Sequence, residues 1–246
     1  MFLLATSCLQ GRKIDVAINE LLSLKHVDGL QLCPGNLPIL QADLLALLNQ
    51  AALNKKIFKR HHGFSETASK QTVWRKVRNG HYLYVSTHTN TCFQDSIHPP
   101  GLSDFFDDTP AHKVILDYPK EIALETMYVS QHNYLLSTIE EIQACMDRER
   151  ALALDLSHID INQKFGMSSE WDKLIDKLLD YKHLKEIHMS QSIKDRDVHA
   201  QLSNNAFKLE VAREWHKRNK VLVLECYMHQ MNQKERQHQI DLLVER

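Results

Sequence analysis

The chain is poor in glycine, with 7 in 246 residues, and in proline, with 6. Scarce glycine argues against glycine-rich phosphate loops, and no strand-like run is followed by a GxGxxG or Walker-type loop. No stretch rich in Gly, Ser or Pro marks a linker, so residues 1–246 read as one domain. The five cysteines (Cys8, Cys33, Cys92, Cys145 and Cys226) are odd in number and none pair at CxxC spacing. That speaks against a disulfide framework and for a reducing, cytoplasmic setting. Charge of one sign is also missing: 30 Lys+Arg meet 31 Asp+Glu, a net charge of −1. Nucleic acid held by bulk electrostatics is therefore disfavoured as a partner. No apolar run nears the roughly 18 residues of a membrane span. The opening Met1-Phe2-Leu3-Leu4-Ala5 lacks the basic flank and length of a secretion signal and reads as a buried strand.

What the chain does have is histidine, 15 in all, and a regular alternation of short apolar runs with amphipathic ones. Strand-like runs fall at 2–7, 29–33, 57–62, 82–88, 122–125, 151–155, 185–188 and 221–225. Helical patterns fall at 14–24, 40–53, 72–77, 135–148, 170–179 and 206–219, with a short helical piece near 113–116 and a closing helix after Asn232. Residues 89–110 read as the longest irregular loop. This order predicts an α/β fold, a (β/α)8 TIM barrel, over an open doubly wound sheet. Trp74, Trp171 and Trp215 are expected to pack from helices.

Residue types that bind metals stand at the C-terminal ends of these strands. They are His61-His62, His88, Glu125, Asp155, His188 and Glu225, with His158 three residues after Asp155 and Asp197/His199 in the following loop. In a barrel these ends converge on one mouth. Carboxylates buried together there would be costly without cations between them. Ala151 and Ala153 share the parity of Asp155, Ala123 that of Glu125, and Val221 and Val223 that of Glu225. That pattern suits strands facing a packed barrel interior. Cys226 should point away from it.

The residues resemble those of the xylose-isomerase-like barrels, which include sugar isomerases and epimerases and endonucleases of the endonuclease IV type. The resemblance spans nearly the whole chain. It rests on D-x-x-H in Ala153-Leu154-Asp155-Leu156-Ser157-His158, on Ile187-His188-Met189-Ser190, on Asp197-Val198-His199 and on Leu224-Glu225-Cys226. It implies a ligand set of His61, His88, Glu125, Asp155, His158, His188, Asp197, His199 and Glu225 for as many as three ions. His61-His62-Gly63-Phe64 resembles an H-x-P-Y motif and favours His61 over His62 as the ligand, a choice that strand parity leaves open. Residues 126–130 and 195–197 lack the glycines of the endonuclease branch, which makes an apurinic-site endonuclease the minor reading.

The expected function is metal-activated hydrolysis of a small phosphorylated or sugar-like substrate, with one to three ions of Zn²⁺, Mn²⁺ or Fe. Glu125 and Glu225 are the expected catalytic carboxylates. His62, Tyr128, His132, Arg196, Tyr227 and His229 are the expected substrate contacts. The alternatives are a single-metal isomerase or epimerase and a multinuclear non-haem iron enzyme acting oxidatively on a peptide.

Overall fold

The computed structural model describes residues 1–61, 74–76, 82–84, 95–99, 120–130, 134–166 and 168–244. In chain order the strands are β1 (Phe2–Ala5), β2 (Gly29–Leu32), β3 (Ile57–His61), β4 (Trp74–Lys76), β5 (Tyr82–Tyr84), β6 (Asp95–Ile97), β7 (Ala123–Glu125), β8 (Leu152–Asp155), β9 (Leu184–Met189), β10 (Gln191–Ile193), β11 (Arg196–Ala200) and β12 (Val221–Leu224). Eight of them, β1-β2-β3-β6-β7-β8-β9-β12, pair in parallel and close as β12 returns to β1. The other four form two antiparallel hairpins, β4–β5 and β10–β11. The described helices are α1 (Ile14–Leu22), α2 (Gln41–Leu53), α3 (Ile139–Asp147), α4 (Leu156–Lys164), α5 (Ser168–Leu179), α6 (Leu209–Lys217) and α7 (Gln233–Val244). The fold is a TIM barrel. Among the described residues no helix is long and apolar enough to cross a membrane.

The barrel strands are short, and β1, β2, β7 and β8 are buried from end to end, as parallel strands covered on both faces tend to be. Helices cover the outside through apolar stripes. In α5, Trp171, Leu174, Ile175 and Leu178 fall at helical spacing and are buried. Trp215 of α6 is buried as well, its indole N–H donating to the Val221 carbonyl at 2.8 Å. α3 begins with a capping box: Thr138 accepts from the Glu141 amide, and Glu141 reaches back to the Thr138 amide, each at 3.3 Å.

Inside the ring the filling is unusual. One wall is small, with Ala123, Ala151 and Ala153 forming an apolar cluster apart from the main core. Side chains from the other strands occupy the space they leave, and several are polar: Gln31, Lys59, Ser96 and Glu186, all buried. Strand register levels these residues. Gln31 pairs with Lys59 and Ala153 with Glu186, while one layer higher Asp155 and Val223 both pair with His188.

The structure departs from the sequence reading at the fourth barrel strand. That place is taken by Asp95–Ile97, not by residues 82–88. Tyr82–Tyr84 pairs with Trp74–Lys76 in a hairpin outside the ring, so Trp74, Arg75 and Lys76 are in a strand and not a helix. Aromatic and β-branched residues drew the expectation to 82–88, but such residues suit any strand, not a barrel strand in particular. The expected helical piece at 113–116, Cys92 and His88 lie outside the described residues. α4 was not expected. It follows Asp155 with no loop because the Asp155 carboxylate caps it, Oδ1 accepting from the His158 amide at 2.9 Å.

Gly29 is fixed by crowding. A Cβ there would sit 1.9 Å from the Ile57 carbonyl oxygen on β3. Gly29→Ala should therefore push β2 and β3 apart and destabilise the barrel by about 1–3 kcal/mol. Chemical denaturation of the purified variant measures this.

Candidate metal centre

The strands deliver their last residues to one chamber at the barrel mouth. β7 ends at Glu125, which is fully buried. Its Oε2 lies 3.1 Å from His188 Nδ1, 3.3 Å from His61 Nε2 and 3.4 Å from His98 Nε2. Its Oε1 lies 3.4 Å from His158 Nδ1. Glu225, directly after β12, places Oε1 3.3 Å from His188 Nδ1. The β10–β11 hairpin folds over the mouth and brings Asp197 Oδ2 to 3.2 Å from His158 Nε2 and 3.5 Å from His199 Nε2. His199 Nδ1 is 3.9 Å from Glu225 Oε2, which closes the circuit.

Most of these separations fit badly as hydrogen bonds. Both Glu125 oxygens, Asp155 Oδ2, Asp197 Oδ1, His188 Nδ1 and His199 Nδ1 are buried without a hydrogen-bond partner. Orphaned buried polar atoms are expensive. The distances do match ligands of a common ion. Two donors each about 2.1 Å from a tetrahedral centre stand roughly 3.4 Å apart. Among the described residues three groups gather ligand atoms within 4.8 Å of one another: His61/His188/Glu225, His61/His98/Glu125 and Glu125/Asp155/His188. The residues present therefore fit a bound metal.

One nitrogen on each of three rings is tied down by a hydrogen bond, and for His158 it is the Nδ1 that also stands 3.4 Å from Glu125. His61 Nδ1 is 2.9 Å from Ser96 Oγ, His158 Nδ1 is 2.8 Å from the Thr126 carbonyl, and His188 Nε2 is 2.9 Å from Glu186 Oε1. A carbonyl or carboxylate can only accept, so the proton of His158 belongs on Nδ1 and that of His188 on Nε2. The His188 Nδ1 lone pair then faces Glu125 and Glu225, and the His158 Nε2 lone pair faces Asp197. Asp155 is used twice: Oδ1 accepts from Ser157 Oγ and the His158 amide, and Oδ2 is left for the chamber.

Among themselves the side chains balance charge with protons. Burial opposes ionisation of Glu125, but His98 and His188 outweigh it and hold the carboxyl well below the usual range. Burial also disfavours charge on His158 and His188. Asp155 and Asp197 nevertheless raise the first, and Glu225 and Glu125 the second, well above the ordinary imidazole value. Asp197, despite burial, is drawn down to about 2 by His158. Glu225 moves the other way: burial, reinforced by Glu125, Asp155 and Asp197, pushes it up to about 8.

Of the nine expected ligands, His61, Glu125, Asp155, His158, His188, Asp197, His199 and Glu225 meet here. His88 lies outside the described residues. His98, just after the fourth barrel strand, also reaches Glu125; the sequence reading passed over it because that strand has three residues and sits in a stretch read as loop. Tyr128 packs on His158 with ring centres 4.8 Å apart, and Tyr227 on His199 at 5.3 Å. His229 is exposed beside Tyr227, and Arg196 is exposed one residue before Asp197. His62 and His132 lie outside the described residues.

Fold and site together define a class: a TIM barrel whose mouth carries buried His, Glu and Asp groups able to hold metal ions. No protein-family profile matches the sequence, and no curated protein matches it.

His188→Ala should lower metal content far more than His216→Ala, because His216 sits on the outer face of the barrel with its ring against Phe2. Equal loss in both, by elemental analysis, would contradict the chamber as the binding site. Ion binding should also release protons, since Glu225, His158 and His188 must give theirs up to become ligands. Apparent affinity should therefore fall as pH drops below about 8. Titration calorimetry in buffers of different ionisation enthalpy reads the proton count.

Proposed function

We propose that this chain is a metal-dependent enzyme of the xylose-isomerase-like kind, holding a cluster of up to three Zn²⁺, Mn²⁺ or Fe ions and hydrolysing a phosphoester of a small, sugar-like substrate. The observation that carries this reading is the sharing of ligands. His61, Glu125 and His188 each belong to two of the three candidate groups, so the donors form a connected series and not one cage. His158, Asp197 and His199 extend the series toward the hairpin.

Bound ions would supply Lewis acidity to the phosphoryl oxygens and lower the pKa of the attacking water to about 7. The chain's own residues do the rest. Glu125 reaches four imidazoles through its two oxygens and fixes the spacing of the cluster. Glu225, opposite it across His188 Nδ1, is placed to take or return a proton at the reacting centre. Tyr128 and Tyr227, half-buried over His158 and His199, wall the entrance and shield the chamber from bulk water. The Arg196 guanidinium, on the strand that carries Asp197, suits an anionic group on the substrate.

A single-ion isomerase reading draws on four of the same residues, Glu125, Asp155, His188 and Glu225. It is favoured by the approach of Glu125 and Glu225 to the same atom, His188 Nδ1, at 3.1 and 3.3 Å, which brings two carboxylates to one candidate ion position. Stoichiometry separates the two. Elemental analysis of anaerobically purified protein should find about three ions per chain, and the protein should hydrolyse sugar phosphates until chelated. About one ion, with ketose–aldose interconversion and no phosphate release, would establish the isomerase. Iron with oxygen uptake would establish an oxidative enzyme. Failure to recover any ion on reconstitution would overturn all three. In the cluster reading, Glu125→Gln should lower the number of bound ions and cut hydrolysis by more than about 100-fold, a larger loss than substitution of residues that only orient the ligands gives.

A further inference from the structure

Below the chamber lies a layer of buried polar groups that the proposed chemistry does not use. Lys59 of β3 and Glu186 of β9 form an ion pair of 2.7 Å, with side chains 7% and 2% exposed. β3 and β9 stand four places apart in the ring of eight, so this bond spans the lumen from one wall to the other. Gln31 of β2 donates its two amide N–H groups to Glu186 Oε1 at 3.0 Å and to Ser96 Oγ at 3.2 Å, and its nitrogen also stands 3.3 Å from His188 Nε2. The Glu186 carboxylate is thus held from two sides. The oxygen that accepts from Gln31 is the one 2.9 Å from His188 Nε2.

We infer that Glu186 is a positioning residue for metal binding: it accepts the His188 Nε2 proton, turns the Nδ1 lone pair into the chamber, and is itself oriented by Lys59 and Gln31. This rests on the metal reading above. A neutral imidazole carries one proton. With Glu186 Oε1 able only to accept, that proton is fixed on Nε2 and the ligand atom is Nδ1. His188 belongs to two of the three candidate groups, so its orientation sets the spacing of the whole series. The arrangement follows from strand alternation, because Glu186 is two residues before His188 and faces the same side. Lys59 bears the same relation to His61. Each wall thus carries a chamber ligand with a floor residue directly beneath it.

The test uses paired substitutions that keep the floor neutral and close in volume, because removing one charge alone would strand the other. K59M/E186Q retains a carbonyl oxygen that can accept from His188 Nε2. K59M/E186L does not. Both should leave the melting temperature of the metal-free protein close to that of the other. K59M/E186L should bind Zn²⁺ about 10–100-fold more weakly than wild type, with K59M/E186Q recovering most of the loss. The visible spectrum of the Co²⁺-loaded protein should shift in K59M/E186L and not in K59M/E186Q. Equal affinity and an unchanged Co²⁺ spectrum in K59M/E186L would overturn the positioning role while leaving the metal site standing. So would equal weakening in both double variants. Absence of Zn²⁺ and Co²⁺ binding by wild type would overturn the metal reading and this one with it.

Discussion

The Glu125 carboxylate is the point on which the site depends. It is fully buried, it hydrogen-bonds to nothing, and four imidazole nitrogens stand 3.1–3.4 Å from its two oxygens. A lone buried carboxylate is among the costliest groups a fold can carry, and it survives only if paired or ligated. Asp155, Asp197 and Glu225 crowd the same space, so the cost grows with each. Protons on the histidines and on Glu225 settle the charge one way, and divalent ions settle it better, since one ion can satisfy several orphaned atoms at once. The barrel's contribution is rigidity. Each of these residues ends a strand, follows one directly, or sits on a short hairpin, so none can swing away to relieve the crowding.

The same economy shapes the backbone around the site. Asp155 ends β8, caps α4 and still presents Oδ2 to the chamber. Because the cap starts the helix at once, His158 rises one turn later on the same side. The Thr126 hydroxyl accepts the Asp155 amide at 3.0 Å, and its carbonyl accepts from His158. Two neighbouring strands are therefore locked to each other and to α4 by the groups that orient the ligands. A substitution here would alter fold and chemistry together.

Much of this was legible in the sequence, for a physical reason. Parallel barrel strands are mostly apolar, so a polar residue at a strand's end stands out, and His61, Glu125, Asp155, His188 and Glu225 were each found that way. The fourth strand was missed because Asp95–Ile97 is too short to show a period, whereas the aromatic run at 82–88 looked more like a strand. His98 was lost with it. The α4 helix was missed because its buried residues mix polar Ser157, His158 and Asn162 with apolar Leu156, Ile159 and Ile161, which leaves no separate apolar stripe to mark the 3.6-residue repeat. The floor left a signal that went unread. Lys59 and Glu186 each lie two residues before a strand-end histidine, and a charged residue at that parity inside an apolar strand must either face a partner or not be in a strand at all.

That floor also separates two demands that conflict. A barrel lumen is ordinarily filled by branched apolar side chains, and a buried ion pair seldom stabilises a fold more than well-packed hydrocarbon would. The Lys59–Glu186 bond is therefore poorly explained by stability. Its advantage is electrostatic. An oxygen acceptor strong enough to hold the His188 proton is best supplied by a carboxylate, but an unbalanced carboxylate beneath the chamber would add a fifth negative charge to four already there. Lys59, reaching across the lumen from the opposite wall, cancels that charge and leaves the acceptor in place. Under the proposed metal reading, orientation of His188 is thus fixed from below without altering the net charge of the chamber. Affinity for ions would then be set by Glu125, Asp155, Asp197 and Glu225, and geometry by the layer underneath.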